Sequence, residues 1–143
     1  MPLAHIASGE ANRLPFPSTG TVTRCHFDSY DNLLTQVWGY KFVRLYAPDQ
    51  TPKLYPIRTP AGGRPELASA SASAPADDVT TSQGNISAVN VESPDLSAHP
   101  LFASASGSHI DTVLGPGDAL YIPRGWWHYV RSLTPSLTVN FWF

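Results

Sequence analysis

Residues 114–143 read Leu114-Gly-Pro-Gly-Asp-Ala-Leu-Tyr-Ile-Pro-Arg-Gly-Trp-Trp-His-Tyr-Val-Arg-Ser-Leu-Thr-Pro-Ser-Leu-Thr-Val-Asn-Phe-Trp-Phe143, and their punctuation decides the fold class. Leu114-Gly-Pro-Gly-Asp118 marks a turn before the β-rich run Ala119-Leu-Tyr-Ile122. Pro123-Arg-Gly125 turns again before Trp126–Ser132, and Leu133-Thr-Pro135 turns once more before Ser136–Phe143. Short strands separated by Gly/Pro punctuation at this spacing predict an all-β sandwich or barrel. A three-residue loop at Leu133–Pro135 would set His128 opposite Asn140 and Trp126 opposite Trp142. One face would then carry Trp126, His128, Val130, Ser132, Ser136, Thr138, Asn140 and Trp142, a polar set between indoles. Buried Asn and His require partners.

Working upstream, Asn32–Trp38 and Lys41–Tyr46 are two further β-rich runs joined by Gly39-Tyr40. Two residues including Gly predict a hairpin, with Gln36 facing Val43 and Leu34 facing Leu45. Side chains 32, 34, 36, 41, 43 and 45 then share one face. Lys41 is anomalous there, because a lysine turned inward requires an anion. A lysine snorkelling from a hairpin end is the competing reading. No segment shows a helical apolar stripe, and only a short helix around residues 93–99, capped by Ser93, is expected.

Residues 1–18 are expected to be irregular, and residues 19–143 to form one domain. An Ala/Ser/Pro-rich insertion at about 58–84 has nothing large to bury and should interrupt it. A chain of 143 residues buries about two thirds of its unfolded surface, enough for one core. Hydrophobic residues at 42% against 14% charged residues exclude a disordered or coiled-coil chain. A net charge of −2 leaves no global basic footprint, so nucleic acid is not an expected partner. Cys25 stands alone, which excludes an internal disulfide and fits a reducing compartment. Neither a secretory signal nor a membrane span is expected, and the nucleus or cytoplasm is the expected location. Asn85-Ile-Ser87 matches a glycosylation acceptor by chance.

His26-Phe27-Asp28 carries the chemistry. Residues two apart on a strand point to one side, about 6–7 Å apart at Cα, so both can face one ion. His128 would complete two imidazoles and a carboxylate, the set that leaves open positions on non-haem Fe(II). A His-x-Asp alone is more often a solvated polar pair. What singles it out is the company of Lys41, Asn32, His128 and Asn140.

Residues 20–46, 114–133 and 138–142 together resemble the JmjC-domain oxygenases, also called cupin-like hydroxylases, and Asn90–Asp95 is similar to a segment between their two halves. The resemblance runs from about residue 19 to the end, apart from the insertion. It implies a double-stranded β-helix, or jelly roll, incomplete at its N-terminus, that uses Fe(II), 2-oxoglutarate and O2. By the same resemblance His26, Asp28 and His128 hold the iron and Lys41 meets the far carboxylate of 2-oxoglutarate. Thr23 and Asn32 hydrogen-bond that co-substrate, while Asn140 and Trp142 stand beside the site. The implied reaction is oxidative decarboxylation of 2-oxoglutarate coupled to hydroxylation of a protein side chain, or to demethylation of methylated Lys or Arg. The implied partner is a protein or peptide substrate. Oligomeric state stays open, a homodimer included.

Two other readings stand beside it. Few residues precede the motif, two prolines occupy residues 12–18, and Arg24 and Cys25 depart from the family pattern. These features admit a truncated, catalytically weak or inactive relative that binds metal or a partner. A cupin using zinc, manganese or nickel without 2-oxoglutarate is the third, and it leaves Lys41 without a purpose.

Overall fold

The computed structural model describes residues 3–6, 20–60 and 81–143. They form β1 Leu3–Ile6, β2 Val22–His26, β3 Asn32–Trp38, β4 Lys41–Tyr46, β5 Pro56–Pro60, β6 Thr81–Ser87, β7 His109–Leu114, β8 Ala119–Ile122, β9 Trp127–Ser132 and β10 Leu137–Trp142. One sheet has the order β1-β10-β3-β8, the other β5-β6-β2-β9-β4-β7, and the paired strands are antiparallel. Successive strands change sheet: β2 to β3 to β4, and again β7 to β8 to β9 to β10. That alternation makes a jelly roll, as the family resemblance implies, and it is of the all-β sandwich or barrel class expected from the punctuation of residues 114–143.

The two expected hairpins are not formed. β3 pairs with β10 and β8, while β4 pairs with β7 and β9. β9 likewise pairs with β2 and β4, never with β10. The cause lies in the two links. Tyr40 N–H donates to Thr134 Oγ1 at 2.9 Å, and the Tyr40 carbonyl accepts from Leu133 N–H at 2.9 Å. The polar groups of each link are thus satisfied by the other link, not by closing its own strand pair. Gly39 adopts φ +74°, and a Cβ there would lie 2.1 Å from the Pro135 carbonyl oxygen. Only glycine lets the two chains cross this closely. Gln36, fully buried, ties the crossing down: its Nε2 donates to the carbonyls of Trp38 (2.6 Å) and Gly39 (3.0 Å), and its Oε1 accepts from Thr138 Oγ1 (2.8 Å).

Face assignments hold although the pairings do not, because side-chain alternation belongs to a strand whatever its partner. Asn32, Leu34 and Gln36 are buried, as are Val43, Leu45, His128, Val130, Ser132, Thr138 and Asn140. Leu34, Val43, Leu45, Leu114, Ile122 and Val130 pack between the sheets. A second cluster, with Cys25, Tyr46, Leu54, Val89, Phe102, Trp127 and Tyr129, lies on the back of the larger sheet under residues 47–55 and 88–108. Trp127 Nε1–H donates to Thr51 Oγ1 (2.9 Å), tying that covering segment to β9.

The expected helix at residues 93–99 is replaced by turns. Asn90 Oδ1 accepts from the N–H groups of Glu92 and Ser93, and Asp95 Oδ1 from those of Ser97 and Ala98. Such local side-chain acceptors compete with helix formation. Short 3-10 helices occur instead at Pro48–Lys53 and Pro100–Ser104. The N-terminal stretch expected to be irregular supplies β1, four residues paired along β10. β5 and β6 pair across the ends of the expected insertion, whose residues 61–80 lie outside the described residues. Among the described residues no helix is long and apolar enough to cross a membrane.

Candidate metal centre

β2 ends at His26, and the chain leaving it is fixed on both sides. Phe27 N–H donates to the Asn85 carbonyl (3.0 Å), and Asn85 Nδ2 returns a bond to the Phe27 carbonyl (2.9 Å). Gly125 N–H donates to the Asp28 carbonyl (2.9 Å). The Phe27 ring meets Trp127 edge-on at 4.8 Å, on the back of the sheet. With Phe27 held outward, His26 and Asp28 turn the other way. The ladder between β2 and β9 shifts register between Thr23 and His26, a local irregularity of the kind that re-aims side chains beside functional sites.

That shift sets His26 directly opposite His128, with ring centroids 4.2 Å apart. His26 Nε2 lies 3.7 Å from Asp28 Oδ1, and His128 Nε2 lies 3.7 Å from Asp28 Oδ2. One ligand atom from each of the three falls within 4.8 Å of the others. The imidazoles are prepared alike. His26 Nδ1–H donates to the Arg24 carbonyl (2.8 Å) and His128 Nδ1–H to the Trp126 carbonyl (3.1 Å). A carbonyl only accepts, so each Nδ1 is the donor, and each Nε2 is the nitrogen turned toward the carboxylate. Burial holds the His128 pKa well below the ordinary imidazole value, and the neighbouring His26 adds to this. A neutral imidazole is the form that ligates a metal. Trp142 Nε1–H donates to Asp28 Oδ2 at 3.2 Å.

The co-substrate candidates divide. Asn32 and Asn140 are buried together, with Asn32 Nδ2 donating to Asn140 Oδ1 at 3.3 Å. Asn32 Oδ1 is buried and has no partner among the described residues. Lys41 pairs across the ladder with Ser132 and shares its inward side. It is half-buried, and desolvation lowers its pKa. Among the described residues no carboxylate partners its ammonium group. From His128 to Ser132 strand β9 advances about 13 Å. The interior is therefore polar at the metal end, apolar at Val43 and Val130, and cationic at the far end. Thr23 lies opposite Val130 and so on the inner side, yet it is exposed and not part of the buried set.

Sequence reasoning did not find the clamp residues Asn85 and Gly125, or the bond from Trp142 to Asp28. Asn85 follows the Ala/Ser-rich stretch, and nothing local marks it as facing Phe27. Cys25 is buried on the back of the sheet, and desolvation pushes its thiol to about 12, an inert cysteine as expected from alternation. A groove of about 450 Å³ lined by Val22, Arg24, Val89, Glu92 and Arg131 also lies on that outer side, away from the three ligands. Its Arg131 is already paired with Glu92 at 2.8 Å.

A jelly roll whose inner face presents two imidazoles and a carboxylate that could hold a metal ion is a barrel of the cupin class. The chain belongs to the cupin-like, JmjC-type family, and the Cupin-like domain matches residues 10–143. It is 44% identical over 123 residues to JmjC domain-containing protein F of Dictyostelium discoideum, covering 86% of this chain and 24% of that protein. It is 36% identical over 128 residues to lysine-specific demethylase 8 of Xenopus tropicalis, covering 90% and 24%. With HSPB1-associated protein 1 of Rattus norvegicus the identity is 39% over 137 residues, covering 94% and 24%. The chain thus spans about 24% of the length of these curated relatives. The ribosomal oxygenase YcfD of Escherichia coli, solved with cobalt and 2-oxoglutarate, is 18% identical with a TM-score of 0.44 over 90% of this chain and 21% of that one, a likeness too low to bear on the site.

Proposed function

We propose that this domain is an Fe(II)- and 2-oxoglutarate-dependent oxygenase that hydroxylates a protein side chain. The observation that supports it best is Lys41, an inward cation without a counter-ion among the described residues, at the far end of an interior whose near end holds His26, Asp28 and His128. A dicarboxylate bridging those ends would meet the metal with one terminus and Lys41 with the other. The unpartnered Asn32 Oδ1 fits the same ligand, since its amide can turn either group toward it. A metal isomerase without such a co-substrate leaves both observations unexplained.

The donor set suits a ferrous ion, with two nitrogens, one carboxylate and room for exogenous ligands. A ferrous ion held by His26, Asp28 and His128 would supply the coupling of O2 reduction to oxidative decarboxylation of 2-oxoglutarate, one oxygen atom ending in succinate beside carbon dioxide and the other in the hydroxylated C–H bond of the substrate. The chain's own residues hold and shield. The carbonyls of Arg24 and Trp126 fix the imidazole tautomers. Val43, Val130 and Leu45 keep water from the passage between the two ends. Lys41 orients the co-substrate. If the target carbon bears a methylated nitrogen, hydroxylation leads to demethylation, the activity named for the Xenopus relative. A protein or peptide substrate in the nucleus or cytoplasm belongs to the same proposal.

A second reading, metal binding without turnover, draws on the exposure of Thr23 and of about a quarter of the His26 and Asp28 side chains (23% and 24%). An open mouth shields an oxidant poorly. Purified chain incubated with Fe(II), 2-oxoglutarate and O2 separates the two. Succinate above the His128→Ala background is expected, and iron uptake without succinate establishes the second reading.

A further inference from the structure

The indole of Trp142 reaches the centre at its carboxylate. Its Nε1–H meets Asp28 Oδ2 at 3.2 Å from the last strand of the opposite sheet. Both imidazoles are already oriented by backbone carbonyls two residues upstream. Asp28 has no such support, because β2 ends at His26 and the carboxylate hangs from the following loop. Its backbone is clamped by Gly125. Among the described residues, the indole is what donates a hydrogen bond to its side chain.

Resting on the ferrous reading above, we propose that Trp142 is a positioning residue that makes Asp28 a one-oxygen ligand. The two oxygens stand equally near the imidazoles, Oδ1 3.7 Å from His26 Nε2 and Oδ2 3.7 Å from His128 Nε2, and the N–H engages Oδ2, which leaves Oδ1 as the oxygen for the ion. A carboxylate released from the indole can rotate and offer both oxygens to one metal. Two-oxygen ligation takes one of the positions that a chelating keto acid and dioxygen need. Trp142 also links the two sheets through the site. The carboxylate thereby keeps its orientation only while β10 stays seated over β2 and β9.

The test replaces Trp142 with β-(3-benzothienyl)alanine, which keeps the ring shape and exchanges the N–H for sulfur. Trp142→Phe serves as a coarser companion. Co(II), a spectroscopic stand-in for Fe(II), is titrated into the full chain, and both its affinity and its visible d–d bands are read without turnover. Loss of a partner that orients a ligand is expected to weaken cobalt binding about 10–100-fold. The d–d bands should shift with the change in coordination number, while thermal unfolding of the benzothienyl chain stays as in the natural one. Unchanged affinity with unchanged bands overturns the proposal even if Trp142→Phe fails to fold. Weaker binding with unchanged bands also overturns it, since that leaves the denticity of Asp28 as it was. Natural chain that takes up no cobalt removes the ferrous reading itself, and the role of Trp142 with it.

Discussion

Lys41 is placed on the inner side by a strand whose neighbours Val43 and Leu45 are buried, so its stem leaves the backbone inward. Burial already lowers its pKa. Lys41→Ala should weaken 2-oxoglutarate binding by about 2 kcal/mol, roughly thirty-fold, the range for losing a hydrogen bond to a charged group. Cobalt affinity measured beside it by calorimetry should stay unchanged, and equal loss of both would remove the assigned role. The sign of the pH effect follows. The charged form binds the dicarboxylate, and desolvation makes Lys41 lose its proton at lower pH than a solvated lysine. Affinity should therefore fall as pH rises, beginning below the ordinary lysine range. At this scale the sequence was legible for residues whose type is costly where alternation puts them. Lys41, Asn32, His128 and Asn140 are all polar at inward positions. It was not legible for Trp142 as a donor, because an indole at an inward position satisfies packing without implying what its N–H meets.

At the scale of elements, Gly39 carries the connection between the sheets. A Cβ at 2.1 Å from the Pro135 oxygen must push two backbones apart, and φ +74° adds strain for any L residue. Gly39→Ala should cost at least about 2 kcal/mol in urea unfolding. Gly117→Ala is the control. Its φ is +91° but nothing lies within 4 Å of an added Cβ, so only the strain, about 1–2 kcal/mol, is expected. Equal losses at the two positions would mean that the crossing tolerates separation. The same glycine explains which part of the topology was readable. Both strand boundaries, Asn32–Trp38 and Lys41–Tyr46, follow from β-rich runs and a Gly break. Whether a two-residue link folds back or crosses over depends on where Tyr40 sends its hydrogen bonds, and they go to residues 133 and 134. Those partners are some ninety residues away, and no local pattern encodes them. Polar alternation was enough to find the inner face, because facing each other across the sandwich and pairing side by side bury the same residues.

On the scale of the whole molecule, the centre gathers three parts of the fold. His26 ends β2, Asp28 sits in the loop held by Asn85 and Gly125, and His128 belongs to β9. Trp142 brings in the smaller sheet. A metal at this junction binds the folded chain and has no equivalent site in the unfolded one, so binding adds directly to stability. At a free Co(II) concentration about a hundred times its Kd the gain is roughly 2.7 kcal/mol. For a domain of this size that corresponds to a rise in Tm of roughly 8 °C. His128→Ala should abolish the rise. A protein that gains as much Tm from cobalt after this substitution holds the ion somewhere other than between His26, Asp28 and His128. Adding 2-oxoglutarate to the cobalt-loaded chain should raise Tm again, and this second increment should shrink in Lys41→Ala while the first remains. Two increments that depend separately on residues 128 and 41 are what an interior with a metal end and a cationic end requires. A single increment lost with either substitution would mean that the two ends do not bind one ligand in sequence.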